Sequence, residues 1–530
     1  MVKKSLYFTE EHELFRQSVR QFVQAEVIPF ANEWEEKREL PKSIWKKMGE
    51  LGFLGVNHQE AFGGSNNDFF YSVVLLEEMA KSGLAGFAAA HSVHQFMSTA
   101  HLAKAGSEEL KQKYLPGAIN GTLVGGLAVT EPGAGSDVAN IRTTAKREGD
   151  YYIVNGQKTF ITNGVYGDFV TVAVKTDPAA GPAGISLLVI DQGSAGFRSN
   201  KLNKMGWHSS DTAELFFENV KVPASNLIGQ ENQGFYYIME SFQLERLVAG
   251  VSAIAGCDLV IETTLKYINE REAFGKQIKK FQVVRHALVD LATEVEAARQ
   301  LTYHTAWLFQ NNLFAVKECS MVKLLGTELG KKAADVCLQF FGGYGYMEEY
   351  PIARMYRDAR VGTIVGGTSE IMKEILAKII IDGISYESAY ESMKQQEKQA
   401  AISAENTLSQ PIQKQSETMS AATPETAREI ILSLPSRFKQ EKAEGITSTV
   451  HFDITGPNGG AFSVMVNNNT CVVEDGFHGE PSCVVSTSDQ TYEDTELGRT
   501  NPQMAVMMGK IKISNLGEMM KFIGLFRRLA

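Results

Sequence analysis

No Gly-x-Gly-x-x-Gly follows a strand-like run in this chain, and helical and β patterns do not alternate along it, which excludes a Rossmann dinucleotide site. Cys-x-x-Cys is also missing. The five cysteines, Cys257, Cys319, Cys337, Cys471 and Cys483, are odd in number and widely spaced, so they read as reduced core residues of a cytoplasmic protein rather than a disulfide framework. No uninterrupted apolar run is long enough to span a bilayer. A formal net charge of −10 argues against nucleic acid as a partner, since phosphate binding needs clustered cations. The opening residues, Met1-Val-Lys-Lys-Ser-Leu-Tyr-Phe8, lack the apolar core of a signal peptide, and the closing Arg527-Arg-Leu-Ala530 is not a peroxisomal address. His91, His94 and His101 have no carboxylate or cysteine ligand at useful spacing, so no metal site is expected and they read as helix-surface or satisfied core histidines.

What is present is a globular composition, 44% apolar and 22% charged, in a chain of 530 residues, too long for one ordinary core. Thr9 followed by acids opens a helical pattern that runs to about Pro29. Further helical segments at 42–51, 69–82, 85–105 and 107–115 make residues 1–122 a helical domain. Over 123–232 the pattern changes to short strand-like runs (123–129, 151–154, 169–174, 185–190, 215–217) separated by Gly, Asn, Asp and Pro, which predicts an antiparallel β domain. Helical periodicity returns over 233–384, in pieces long enough for a four-helix bundle. Residues 385–424, rich in Gln, Ser, Ala, Glu and Lys, read as a linker. Residues 425–530 read as a small α/β unit: a helix around 430–438, strands at 449–454, 462–466, 471–473 and 483–486, and Met-rich closing segments whose Met504, Met507, Met508, Met519 and Met520 read first as core packing. The fold class is therefore multidomain α+β.

Two features could carry chemistry. The run Ser241-Phe-Gln-Leu-Glu-Arg-Leu-Val-Ala-Gly250 sets Glu245 and Arg246 in apolar surroundings, where a charged pair is either a solvated face, a structural ion pair or a working group. The run Leu127-Ala-Val-Thr-Glu-Pro-Gly-Ala-Gly-Ser-Asp137 couples a strand end to a Gly-rich turn, with Thr130 and Ser136 beside free N–H groups. Further motifs are Gly156-Gln-Lys-Thr-Phe-Ile-Thr-Asn-Gly164, Lys204-Met-Gly-Trp-His-Ser-Ser-Asp-Thr212, Arg271-Glu-Ala-Phe-Gly-Lys276, Gln339-Phe-Phe-Gly-Gly-Tyr-Gly345, Tyr356-Arg-Asp-Ala-Arg360 and Ile364-Val-Gly-Gly-Thr-Ser-Glu-Ile371.

In this order the motifs resemble the acyl-CoA dehydrogenase family from about Leu6 to Asp382. The resemblance implies an FAD enzyme that oxidises the Cα–Cβ bond of acyl-CoA to trans-2-enoyl-CoA, passes electrons to an electron-transfer flavoprotein and assembles as a homo-oligomer, tetramer or dimer. It implies flavin contacts at Leu127, Val129, Thr130, Gly135, Ser136, Phe160, Ile161 and Thr162. Arg271, Phe274, Gln282, Gln339, Phe340, Gly342 and Gly343 would reach the FAD of a neighbouring subunit, and Thr368, Ser369 and Glu370 would contact the cofactor near the bundle end. Acyl-CoA would touch Ser136, Gln243, Leu244, Glu245, Arg246 and Gly367. In much of the family the catalytic base lies two residues before the Thr-Ser pair, where this chain has Gly366. The long-chain and isovaleryl branches place glycine there and carry the base on an earlier helix, at the position of Glu245. The resemblance thus assigns Glu245 as base and the Gly366 N–H as a donor to the thioester carbonyl. It leaves open a flavin oxidase or monooxygenase of the same fold, and a lipid carrier with a vestigial flavin domain. Over about 426–526 the chain resembles the sterol-carrier-protein-2 fold through Ile454-Thr-Gly-Pro457 and Thr500-Asn-Pro-Gln503, which implies a tunnel for a lipid or acyl chain.

Overall fold

The computed structural model describes residues 6–386, 424, 426–440, 443, 446–467, 470–500, 502–507, 510–527 and 529. Two compact units emerge, Met1–Glu387 and Ser388–Ala530. The expected linker lies outside the described residues from 387 to 423.

The first unit begins with seven helices. In α1 (Glu10–Phe22) the Thr9 side chain accepts from the His12 N–H, His12 returns the bond, and three acids fill the first turn, so the start is fixed by capping and by the helix dipole. After α2 (Ala31–Lys37) and α3 (Lys42–Glu50), α4 (Phe69–Ala80) is buried nearly all round. Its buried Glu77 and Glu78 are tolerated because Arg16 and Arg20 of α1 reach them at 2.6 and 2.9 Å. A π-helical segment, Val93–Ser98, joins α5 (Ala85–Ser92) to α6 (Thr99–Ala105). Its wider turn re-aims the face that α6 presents. α7 (Glu108–Ile119) leads into the sheet.

The sheet comprises β1 (Gly125–Ala128), β2 (Thr144–Glu148), β3 (Tyr151–Thr162), β4 (Phe169–Lys175), β5 (Ile185–Asp191), β6 (Phe197–Lys201), β7 (Thr212–Pro223) and β8 (Leu227–Ile228), in the order β6-β7-β3-β2-β4-β5-β8 with β1 beside β4. The expected antiparallel pairing holds for most of the sheet and fails at two places, where β1 runs parallel to β4 and β2 meets β4 in parallel at Thr144↔Lys175. The cause is the connection: β1 ends in the Gly-rich run instead of a hairpin, so the chain crosses through β2 and β3 before it returns beside β1. β3 carries register shifts at Val154/Gly156 and Lys158/Ile161. The second of these leaves Phe160 in the left-handed region at φ +62°.

The helical part that follows has three long members, α8 (Gly234–Glu270), α9 (Gln282–Gln310) and α10 (Val316–Phe341), with shorter α11 (Pro351–Ala359) and α12 (Ser369–Ile380). α8 and α10 pack without room for a side chain: a Cβ on Gly250 would stand 2.2 Å from Val322 Cγ1. That contact lays α10 directly against the turn of α8 that carries Glu245 and Arg246. A two-residue β ladder, Glu272–Ala273 with Lys276–Gln277 (β9 and β10), joins α8 to α9.

The second unit has a five-stranded sheet, β13-β12-β11-β14-β15, built from β11 (Thr447–Thr455), β12 (Gly460–Asn467), β13 (Thr470–Asp475), β14 (Cys483–Ser488) and β15 (Lys512–Ile513). Its core includes Phe452, Phe462, Val464, Tyr492 and Phe522. The helix expected around 430–438 is split into Ala427–Leu432 and Leu434–Arg437, because Pro435 cannot continue the first piece. Among the Met-rich residues, Met519 is buried in this core; the side chains of Met504, Met507, Met508 and Met520 lie outside the described residues.

Candidate active site

α8 is apolar around most of its circumference, and the turn holding Glu245 is sealed by its own Leu247 and Val248, by α10 and by α6. Glu245 keeps 6% of its surface. Burial pushes its carboxyl from an ordinary 4.5 to about 8, and the charge of Arg246 only partly offsets this. Adjacent in sequence, the two do not form an ion pair: the Arg246 guanidinium lies 5.3 Å from the Phe242 ring centroid, and its Nη1 donates to Ser320 Oγ at 3.4 Å. The Glu245 Oε1 is buried and has no hydrogen-bond partner among the described residues. Gln243, expected at the substrate, is tied elsewhere, its Oε1 accepting from the Ala315 N–H at 3.2 Å. Leu244 lines a cavity of about 260 Å³ together with Phe62, Phe69, Phe96, Leu115 and Phe309.

Gly366 and Gly367 stand at φ +65° and +92°, in the turn that delivers the chain to α12. A Cβ built on Gly366 meets nothing within 4 Å, so its backbone borders open space. Thr368 caps α12 by accepting from the Ile371 N–H at 3.2 Å. The fully buried Lys323 of α10 donates to the Gly367 carbonyl and so pins the glycine turn to the helix that flanks Arg246. Burial pulls the Lys323 ammonium down to about 8. Ser369, expected at the cofactor, is buried and donates its hydroxyl to Glu328 Oε1 at 2.6 Å, which leaves its backbone for any contact. Glu370 is exposed, and its own backbone N–H and the Thr368 hydroxyl hold its carboxyl below the usual range. A solvated, fully ionised carboxylate of that kind is a poor base, and Glu245 is the better one.

The Gly-rich run is anchored from beneath. Lys158 of β3, wholly buried, donates to the Val129 carbonyl at 2.9 Å and to Glu131 Oε1 at 2.7 Å. Glu131 also accepts from the Arg142 and Thr143 N–H groups at 2.6 and 2.9 Å. Burial works against the Glu131 charge, yet Lys158 and Thr143 outweigh it and hold the carboxyl below its usual value. The Thr159 N–H donates to the Thr130 carbonyl at 2.9 Å, which brings the run beside Phe160. Above these anchors the surface is open: Cβ atoms on Gly133 and Gly135 would meet nothing within 4 Å, Ser136 is exposed, and Phe160 shows 69% of its surface. Free N–H groups at a glycine loop suit a diphosphate and an exposed aromatic ring suits a flat heterocycle, so the chain's own groups fit FAD. Leu127 and Thr162 are half-buried at this edge, whereas Val129 is buried and offers its carbonyl to Lys158, and the Ile161 side chain packs into the sheet core.

The remaining expected cofactor residues gather at the corner joining α8, α9 and α10. The Arg271 guanidinium lies 5.6 Å from the Tyr344 ring centroid, and Tyr267 stacks on Phe341 at 4.1 Å. Gln282, Gln339, Gly342 and Gly343 are exposed, Phe340 is half-buried, and Phe274, at φ +53°, shows 94% of its surface. Among the described residues no group of three or more His, Cys, Asp or Glu side chains is arranged to hold a metal, and no helix is long and apolar enough to cross a membrane.

Sequence reading gave no role to Lys158, Glu131, Lys323 and Ser320, and it took His101 for a helix-surface or satisfied core histidine, whereas His101 is buried with its Nε2 4.0 Å from Glu245 Oε1. Lys158 shares with Tyr152 and Val154 the inward, even-numbered positions of β3, so strand alternation could have exposed it. The other contacts join residues far apart in the chain, with no local signal.

A helical domain, a mixed sheet and a helical bundle, with a buried carboxylate and a bare glycine turn, fit a flavin-dependent dehydrogenase. The chain belongs to the acyl-CoA dehydrogenase family: the family's N-terminal, middle and C-terminal domain models match residues 9–122, 126–220 and 232–381. The SCP-2 sterol transfer family model matches residues 431–527. The chain is 44% identical over 377 residues to the mitochondrial long-chain specific acyl-CoA dehydrogenase of Rattus norvegicus, a match covering 71% of this chain and 87% of the relative. It is 46% identical to a crystallised acyl-CoA dehydrogenase from Geobacillus kaustophilus, with a TM-score of 0.69 over 71% of this chain and all of that one. A glutaryl-CoA dehydrogenase from Mycobacterium smegmatis, solved in complex with FADH2, is 27% identical, with a TM-score of 0.67 over 72% of this chain and 97% of that one. The family binds FAD, and the chain is an acyl-CoA dehydrogenase of that family.

Proposed function

We propose that the chain converts long acyl-CoA thioesters to trans-2-enoyl-CoA with Glu245 as the base, and hands the electrons to an electron-transfer flavoprotein. The observation that carries this reading is the pairing of a buried, high-pKa carboxylate at Glu245 with a side-chain-free Gly366. Bound FAD supplies the acceptor for the β hydride. The chain supplies the rest. Glu245 takes the α proton, its affinity for protons raised by burial to a range useful near neutral pH. The Gly366 N–H donates to the thioester carbonyl as enolate charge builds there. Leu244 and the aromatic walls of the adjoining cavity take apolar acyl chain, while Gly133, Gly135 and Ser136 meet the diphosphate of the cofactor. Arg271, Phe274 and the Gln339–Gly343 corner serve the flavin of a neighbouring subunit in a homotetramer or dimer. The second unit holds a lipid or acyl chain and raises its concentration near the first. Five free thiols fit a cytoplasmic setting.

Anaerobic titration with acyl-CoA esters of graded length tests the reaction: long esters should bleach the flavin, and failure of every ester to do so would end the proposal. Removing residues 388–530 should raise KM for long esters more than for short ones, whereas equal effects would reject the role given to the second unit.

A further inference from the structure

His101 projects from α6 toward α8 with 2% of its surface exposed. Its Nδ1 lies 3.2 Å from the Ser241 hydroxyl, one helical turn before the proposed base. Its Nε2 is buried, stands 4.0 Å from Glu245 Oε1, and like that oxygen has no hydrogen-bond partner among the described residues. Buried polar atoms in folded proteins are almost always paired, and here a nitrogen and a carboxylate oxygen with open capacity face each other, one side-chain rotation short of a bond.

We infer that His101, oriented by Ser241, is a positioning residue for Glu245, donating its Nε2–H to the carboxylate so that the base is held in one rotamer and kept ionised. The inference rests on Glu245 being the base. The tautomer follows from the brace: when the Ser241 hydroxyl donates to Nδ1, the ring proton sits on Nε2, facing Glu245. Other charged and titratable groups around the pair are accounted for. Arg246 neighbours Glu245 on α8 but is turned to Ser320. Lys104, on α6 with His101, reaches Glu240 at 2.7 Å. Lys323 and Cys319 on α10, and Tyr386, act on Arg246 or beside it. Burial first, and then Lys104, pull the His101 imidazole down to about 4, so it stays neutral wherever the enzyme works. A neutral donor cannot itself titrate between pH 5 and 9, so a change in the pH profile on altering it reports Glu245. At the 4.0 Å separation, short of a bond, the carboxyl stands at about 8; closing the bond favours its charged form and lowers that value.

The test is the limiting rate of flavin reduction, measured by anaerobic stopped flow from pH 5.5 to 9.5 on the full-length, FAD-loaded protein. His101→Leu should move the acid limb upward by about one pH unit, slowing reduction roughly tenfold at pH 6.5 and little at pH 9. His101→Gln, whose amide N–H reaches the same direction, should restore most of the wild-type profile. Ser241→Ala, which removes the brace and not the donor, should give a smaller shift of the same sign. An unchanged limb in His101→Leu, or equal slowing at every pH with no rescue by glutamine, overturns the inference. If the wild-type flavin is reduced by no acyl-CoA, the proposed reaction fails instead, and the two failures are distinguishable. Flavin content and melting temperature of each variant separate loss of fold from loss of the donor.

Discussion

The burial of Glu245 makes the proposed base a source of instability as well as of activity, and Glu245→Gln separates the two. Gln has the same shape but never ionises. In the wild type the folded carboxyl at about 8 exceeds its ordinary 4.5, so the protein binds this proton more tightly folded than unfolded. Stability from this group is therefore complete below about pH 4.5 and is lost as pH rises to 8. The loss is roughly 1 kcal/mol at pH 5, 3 kcal/mol at pH 7 and 4 kcal/mol at pH 8, at 1.4 kcal/mol per unit. Glu245→Gln escapes it, so the stability difference between variant and wild type should grow in the variant's favour by about 3 kcal/mol between pH 5 and pH 8. Urea unfolding followed by circular dichroism at pH 5, 6.5 and 8 reads that growth directly. The same variant should reduce its flavin at least about a hundredfold more slowly, the usual contribution of a positioned base. A stability difference that stays flat with pH would refute the burial argument, and retained flavin reduction would refute the assignment of the base.

Gly366→Ala introduces a side chain at φ +65° into open space, so melting should show a loss of only about 1 kcal/mol while kcat/KM falls more than tenfold, because the methyl occupies the side from which a thioester approaches. Equal, small losses in both would mean the Gly366 N–H faces no substrate. Glu131→Gln removes the countercharge of the fully buried Lys158 and should cost about 3–5 kcal/mol and release FAD on dialysis, which absorbance at the flavin band will show. Full retention of FAD would mean the ion pair does not shape the cradle.

Much of this architecture is written locally. Thr9 announces α1 through its capping chemistry, and the apolar runs that became β4 and β5 are legible because both faces of those strands are buried. β2 and β6 escaped notice because they are exposed strands, Thr-Ala-Lys-Arg-Glu and Phe-Arg-Ser-Asn-Lys, with no alternation to betray them. In the site, the glycine at 366 drew attention to Glu245 because a missing side chain at one position demanded a replacement at another. What Glu245 touches was not legible. His101, Ser320 and Lys323 come to it or to its flanks through the π segment of α5–α6 and the glycine contact between α8 and α10, and neither arrangement has a local pattern.

The Lys158–Glu131 pair also bears on how such a site changes over generations. Because the loop is fastened from below, the residues on its open face, Gly133, Gly135, Ser136 and Phe160, contribute little to folding. Substitutions there can be sampled at small cost to the fold and judged almost entirely on what they bind, whereas a change in the buried pair must pass the test of folding first. Diversity among descendants of this chain should therefore collect on the upper rim of the cradle, over a floor that stays the same.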